Sequence, residues 1–160
     1  MAQTHNDASL QPCRESAVCQ CLVSAMQRTR PIVVSTWPGQ AIGWLELAGC
    51  PDHTTSAAHL AAESAELLRC VERRLAGLEE ELVANGANAT YELLGAERGA
   101  DVSDPAQAAA LMQLHRSLIS SVWALVLPGV AGELSADEIA FAHDALVHAT
   151  RRSLGFLPEP

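Results

Sequence analysis

Two histidines fall on the apolar faces of predicted helices and are the side chains best placed to do chemistry. With successive residues about 100° apart around a helix, His115 lies in the middle of an apolar arc, between Leu111 and Leu118. His143, on the following helix, lies beside Leu146 on the predicted inward face. Two inward imidazoles on adjacent helices can ligate a metal or a haem iron, or can sense protons.

The register of these two helices argues against a metal shared between the histidines. If they form a hairpin about the loop near residue 131, His115 lies level with His148. His143 is then displaced from His115 by roughly five residues, or about 7 Å of helical rise. The favoured interpretation is a core histidine bonded to a backbone group. A single haem-ligating or ligand-contacting histidine is the alternative, with His115 as the better candidate.

The five cysteines do not form a zinc-binding motif. They are Cys13, Cys19, Cys21, Cys50 and Cys70. Cys50, with Pro51 and His53 in a predicted loop, is a weak candidate for a haem or metal ligand, and small buried side chains beside a helix stop are the simpler interpretation. Redox sensing by Cys19 and Cys21 is an open alternative.

The tryptophans could line a site for a flat ligand. Trp37 and Trp44 are seven residues apart, which places them on one helical face. Trp123 belongs to the same apolar arc as His115. We therefore count Trp44 and Trp123 with His115 and His143 as candidate ligand contacts, although such residues more often only pack in a core.

The elements that must position these residues are all predicted to be helices. Alanine and leucine are frequent, aromatic residues make up only 4% of the chain, and apolar residues recur at spacings of three and four. Proline, glycine and capping residues divide the pattern at Pro31, Trp37-Pro38-Gly39, Gly49, Asn85-Gly86, Gly99 and Pro128-Gly129. The predicted helices cover residues 12–30, 40–48, about 57–84, 88–98, 104–127 and 136–154.

These elements predict an all-α fold with five to six helices in antiparallel succession, packed as a single bundle or in a globin-like arrangement. Residues 1–11 are predicted to be a flexible lead-in, and residues 12–157 a single helical domain. The N-termini of two predicted helices are especially well marked, each by the pattern of a capping box. One comprises Asp104, Pro105 and Gln107, and the other comprises Ser135 and Glu138.

The charge of the chain disfavours two classes of partner. The formal net charge is −9, whereas nucleic acids and anionic membrane surfaces attract clustered lysine and arginine. The first seven residues are polar and lack the pattern of a signal peptide. We therefore expect a cytoplasmic protein that binds neither nucleic acid nor membrane. The sequence carries no phosphate-binding loop, GxSxG or HExxH motif, so an enzyme is the less favoured interpretation.

One part of the sequence resembles a known family. Glu97-Arg98-Gly99, followed by a helix with His115-Arg116 and Trp123, is similar to the helical N-terminal sensory domains of RsbR-type and PucR-type bacterial regulators. The leucine-striped helix before it and the helix after it fit the same order, while the residues around Asp101 to Pro105 are extra to the pattern. The resemblance implies a non-enzymatic, globin-like or bundle-like regulatory module that forms dimers, and it implies no catalytic residues.

Three functional hypotheses follow from these observations, of which an enzyme with an unrecognised helical active site is the least favoured. The first is a regulatory or sensory helical module in bacterial signalling, homodimeric, that binds a protein partner or a small apolar ligand. The second is a haem- or metal-binding helical protein that uses His115 or the loop of Cys50 and His53.

Overall fold

Four helices make up most of the part of the chain that the structure, a computed structural model, describes: residues 3–50, 56–77, 101 and 103–153. They are α1 (Gln3–Leu47), α2 (Ala57–Leu75), α3 (Pro105–Val130) and α4 (Ala136–Ser153). The described residues contain no strand. The predicted all-α class is therefore confirmed, with four described helices in place of five to six; the helix predicted over 88–98 lies outside the described residues.

Helix α1 is continuous over 45 residues, about 68 Å of helical rise. Pro31 was predicted to mark a break or kink and Trp37-Pro38-Gly39 a turn or kink, but neither interrupts α1. Residues 3–11, predicted to be a flexible lead-in, are helical. A proline inside a helix costs about 3 kcal/mol. Here one buried stripe runs along the helix on both sides of each proline, and its burial outweighs that cost. The stripe comprises Val18, Leu22, Ala25, Met26, Val33, Trp37, Ala41 and Leu45.

Helix α3 runs antiparallel to α1 along most of its length. Three contacts fix the register: Gly49 lies against Gln107, Trp37 bonds to Ser117, and Cys21 bonds to Glu133. The Gly49 contact is close enough that an added Cβ would lie 2.9 Å from the Gln107 Oε1 atom. Gly49 also ends α1 with a φ of +81°, a left-handed conformation that favours glycine.

Helix α2 packs against α1 through the predicted leucine stripe, in which Leu60, Ser64, Leu67 and Val71 are buried. Its N-cap is Ser56, whose hydroxyl accepts a hydrogen bond from the His59 N–H. The helix ends at Leu75, earlier than predicted, because Gly77 adopts a φ of +80° just beyond it.

Both α3 and α4 begin at the predicted N-cap residues, but only α4 has the predicted capping box. Asp104 accepts a hydrogen bond from the Ala106 N–H at 3.0 Å, but the Gln107 side chain accepts from the Asp101 N–H at 2.7 Å and does not close a box. Ser135 and Glu138 form a reciprocal box at the start of α4, with bonds of 2.9 and 3.2 Å. Pro128 and Gly129 do not end α3, which continues to Val130.

Helix α3 is apolar enough and long enough to cross a membrane, by length and composition only, and 39% of its most apolar window is buried inside the protein. A helix at the centre of a soluble bundle has the same properties. The absence of membrane binding and the cytoplasmic location remain predictions.

Candidate functional site

His115 lies in the core, as predicted. The residue is 6% exposed and belongs to the buried face of α3, together with Leu111, Leu114 and Leu118. Burial lowers the pKa of the imidazole to about 4, because the charged ring would lose its hydration. The ring is therefore neutral at pH 7.

His143 does not lie on the inward face of its helix, so that prediction was wrong. Its side chain is 44% exposed. The buried face of α4 instead comprises Ala142, Leu146, Ala149, Thr150 and Ser153. Leu146 is buried as predicted, but the buried face is rotated towards Ala142 and Ala149, which leaves His143 only partly buried.

The structure pairs His143 with Trp123 and not with His115. The Trp123 and His143 rings meet edge to face, with centroids 4.9 Å apart. His143 is therefore level with residue 123 of α3, eight residues from His115, or about 12 Å of rise. This separation agrees with the expectation that the two histidines share no metal.

Trp37 and Trp44 differ in their surroundings. Trp37 is fully buried, and its indole N–H donates to the Ser117 hydroxyl at 3.0 Å. Ser117 in turn donates to the Leu114 carbonyl at 2.7 Å. Trp44 is half-buried at the edge of the core. This arrangement fits core packing with a satisfied polar atom better than a site for a flat ligand.

Cys19 and Cys21, the pair considered for redox sensing, lie in surroundings that suppress their reactivity. Burial raises the pKa of the Cys19 thiol, with a smaller contribution from Glu15. Burial also raises the pKa of Cys21, whose thiol donates to the Glu133 carboxylate at 3.2 Å. A raised pKa leaves less thiolate at neutral pH, which counts against redox sensing by this pair.

The loop proposed for haem or metal binding is only partly described. Cys50 is buried, and its backbone N–H donates to the Leu45 carbonyl, which closes the end of α1. His53 lies outside the described residues. Within the described ranges, no three His, Cys, Asp or Glu side chains lie close enough together to hold a metal ion.

The structure adds a cleft that the sequence analysis missed. It has a volume of about 520 Å³ and lies between the early turns of α1 and the start of α4. That volume is within the range of small-molecule sites in proteins, about 300–1,000 Å³. The lining residues combine charged groups with an apolar surface: Arg14, Glu15, Val18, Ser135, Asp137, Glu138 and Phe141.

The cleft has an organised polar rim. The Ser135 N–H and hydroxyl hold the Glu138 carboxylate, and with a smaller contribution from Arg14 they lower its pKa. Glu138 is therefore ionised at neutral pH, and its position is fixed by the helix cap. The capping box was visible in the sequence, but no local pattern shows that α1 passes beside it.

Comparison of the chain with protein-family models, curated proteins and solved structures finds no match. The resemblance to sensory domains of RsbR-type and PucR-type regulators therefore remains a prediction.

Proposed function

We propose that the chain is a non-enzymatic regulatory or sensory module that binds a small amphipathic ligand in the cleft between α1 and α4. The cleft itself is the observation that carries this proposal. Val18 and Phe141 provide an apolar surface, and charged groups from two helices surround it. Small-ligand sites commonly combine these features.

The charges of the cleft favour a ligand with a basic group. Three carboxylates, from Glu15, Asp137 and Glu138, face one cation, Arg14. Arg14 is exposed and Glu138 is fixed by its cap, so a ligand cation meets an acidic rim without displacing a buried group. An apolar body would cover Phe141 while an ammonium group lies among the carboxylates.

A matched pair of ligands tests this proposal. 3-Phenylpropylamine and 3-phenylpropanoate have the same apolar body and opposite charges. Calorimetric titration at low salt is expected to show tighter binding of the amine. Among the described residues, Arg14 is the only cation that lines the cleft. Arg14→Ala should therefore strengthen amine binding by about three- to fivefold, on the order of 1 kcal/mol for a partly exposed charge pair.

The control variant is Arg28→Ala, which removes an exposed arginine of the same helix that does not line the cleft. It should leave both affinities within twofold of the unmodified protein. Absence of binding by either compound at millimolar concentration, or equal effects of the two variants, would count against the cleft as the ligand site.

The same proposal includes a role in bacterial signalling, a location in the cytoplasm and a homodimeric state. The resemblance to bacterial regulators supports a role in signalling in the cytoplasm and a homodimer. The leucine stripe of α2 adds no support for the dimer, because it is buried within the chain. Light scattering that gives the mass of a monomer at micromolar concentration would contradict the dimer without affecting ligand binding.

A further inference from the structure

Helix α1 carries a row of residues that face solvent along its second half. They recur at alternating spacings of four and three, which is the spacing of the seam between two paired helices. With successive residues about 100° apart, the row stays within about 80° of arc around the helix. Ile42 is half-buried, and the other members are exposed. We call this row the outer stripe; it comprises Arg28, Ile32, Ser35, Gly39, Ile42 and Glu46.

The middle of the outer stripe is uncharged and open. Residues 31–45 include no charged side chain, and Ile32 is 48% exposed. The Ser35 hydroxyl donates to the Ile32 carbonyl at 2.9 Å, so a helix that covers Ser35 leaves no donor unsatisfied. A Cβ added at Gly39 would meet no atom within 4 Å, so no other element covers the stripe at this point.

The two ends of the outer stripe carry opposite charges. Arg28 and Glu46 are eighteen residues apart, which is five full turns of an α-helix, so the two side chains leave the helix in the same direction about 27 Å apart. Both residues are exposed, and neither forms an ion pair with another residue of the described ranges. The stripe is therefore basic at one end and acidic at the other, with a neutral row between them.

We propose that two copies of the chain pair through the outer stripe, with their α1 helices antiparallel. A pair centred on residue 37 places Arg28 opposite Glu46 of the second copy, and does so at both ends. In the same register Ile32 meets Ile42, and Ser35 meets Gly39, whose small size allows a short distance between the helices. A parallel pair would bring like charges together at each end, which is unfavourable. The stripe thus complements its own reversed copy.

This inference rests on the homodimer of the proposed function and names the surface that forms it. The ligand cleft lies beyond the stripe. Its nearest lining residue on α1, Val18, precedes Arg28 by ten residues, or about 15 Å of helical rise. Variants of the stripe should therefore bind 3-phenylpropylamine as the unmodified protein does.

Charge reversals followed by sedimentation equilibrium test the inference. Arg28→Glu replaces two attractions in each dimer with two repulsions, so we expect the dissociation constant of the dimer to rise at least about tenfold. Glu46→Arg should have the same effect for the same reason. The double variant Arg28→Glu with Glu46→Arg has opposite charges at each end again and should dimerise within about threefold of the unmodified protein. An equimolar mixture of the two single variants should form heterodimers, because each supplies the charge that the other lacks.

Arg116→Glu is the matched control, because Arg116 is exposed on α3 and its reversal changes the net charge by the same amount as Arg28→Glu. It should raise the dissociation constant by less than about twofold. Circular dichroism checks that each variant folds. If Arg28→Glu does not, Gly39→Glu places a carboxylate from each copy near the centre of the pair, at a position with open space around it. This variant should also raise the dissociation constant at least about tenfold.

Three results would overturn the inference. Equal weakening by Arg28→Glu and Arg116→Glu, or no weakening by either, would mean that the dimer forms through another surface. A double variant that dimerises no better than the single variants would mean that Arg28 and Glu46 do not face each other. A protein that is monomeric at micromolar concentration would contradict the homodimer as well as its surface, while titration with 3-phenylpropylamine tests the cleft separately.

Discussion

Acidification from pH 7 to pH 5 is expected to destabilise the protein through the His115 ring. The imidazole is buried, and its pKa is lowered to about 4 from the ordinary value of 6.5. The unfolded chain therefore binds a proton near pH 6.5, whereas the folded chain does not until about pH 4. The contribution of His115 to the free energy of unfolding is fully present above pH 6.5. It falls as the pH decreases and is lost below pH 4.

The size of the effect follows from the two pKa values. For one group titrating at 6.5 unfolded and at about 4 folded, the free energy of unfolding falls by about 2 kcal/mol between pH 7 and pH 5. The full difference, reached below pH 4, is about 3 kcal/mol. This is a large part of the stability of an ordinary domain, about 5–15 kcal/mol.

Urea unfolding at pH 7, 6 and 5, followed by circular dichroism, measures this dependence. Carboxylates also titrate near pH 5, so the comparison is with His115→Gln, which keeps a polar side chain of similar size and does not titrate. The variant should lose about 2 kcal/mol less than the unmodified protein over the interval. Parallel pH profiles for the two proteins would show that His115 is not held neutral in the core.

Two further predictions concern the packing of the helices. Arg30→Ala leaves the Glu72 carboxylate, which is 5% exposed, without its partner, so the free energy of unfolding should fall by about 2–3 kcal/mol at pH 7. Because burial already raises the pKa of Glu72, that loss should shrink towards pH 5, and a pH-independent loss in urea unfolding would contradict the buried ion pair. Gly77→Ala should lower the free energy of unfolding by about 1 kcal/mol, because an alanine would be strained at the positive φ of this position. Gly49→Ala should cost about 2 kcal/mol, because its Cβ would also lie 2.9 Å from Gln107; equal melting temperatures for the two variants would remove the contact from the account.

Local signals in the sequence predicted the class of fold and several helix ends. Ser56, Asp104 and Ser135 act as N-caps, and Gly49 ends α1. Each depends on one residue and its near neighbours, so it can be read without the tertiary structure.

The errors in the helix boundaries have a common cause. Pro31, Pro38 and Pro128 were each predicted to end or kink a helix; each lies inside one, so none of them is a helix end. Proline lowers the stability of a helix by a few kcal/mol, and long-range burial of Val33, Trp37 or Val130 offsets that cost. A sequence pattern shows the local cost and not the compensating contact.

The same distinction between local signals and long-range contacts applies to the candidate site residues. His115 was predicted to be buried because the apolar arc of α3 surrounds it on its own helix. The partial exposure of His143 and the cleft beside Arg14 depend on how separate helices are placed. The cleft is lined by two groups of residues, one from α1 and one from the start of α4, that are more than a hundred positions apart in the sequence, so no spacing pattern connects them.

The ligand cleft between α1 and α4 can be examined residue by residue by recording the ¹H–¹⁵N spectrum of the protein while 3-phenylpropylamine is added. Binding in the cleft should shift the backbone signals of Arg14 to Val18 and of Ser135 to Phe141, and leave those of Trp37 and His115 in the core nearly unchanged. Shifts centred on the core residues, or shifts of equal size throughout the chain, would show that the ligand binds elsewhere.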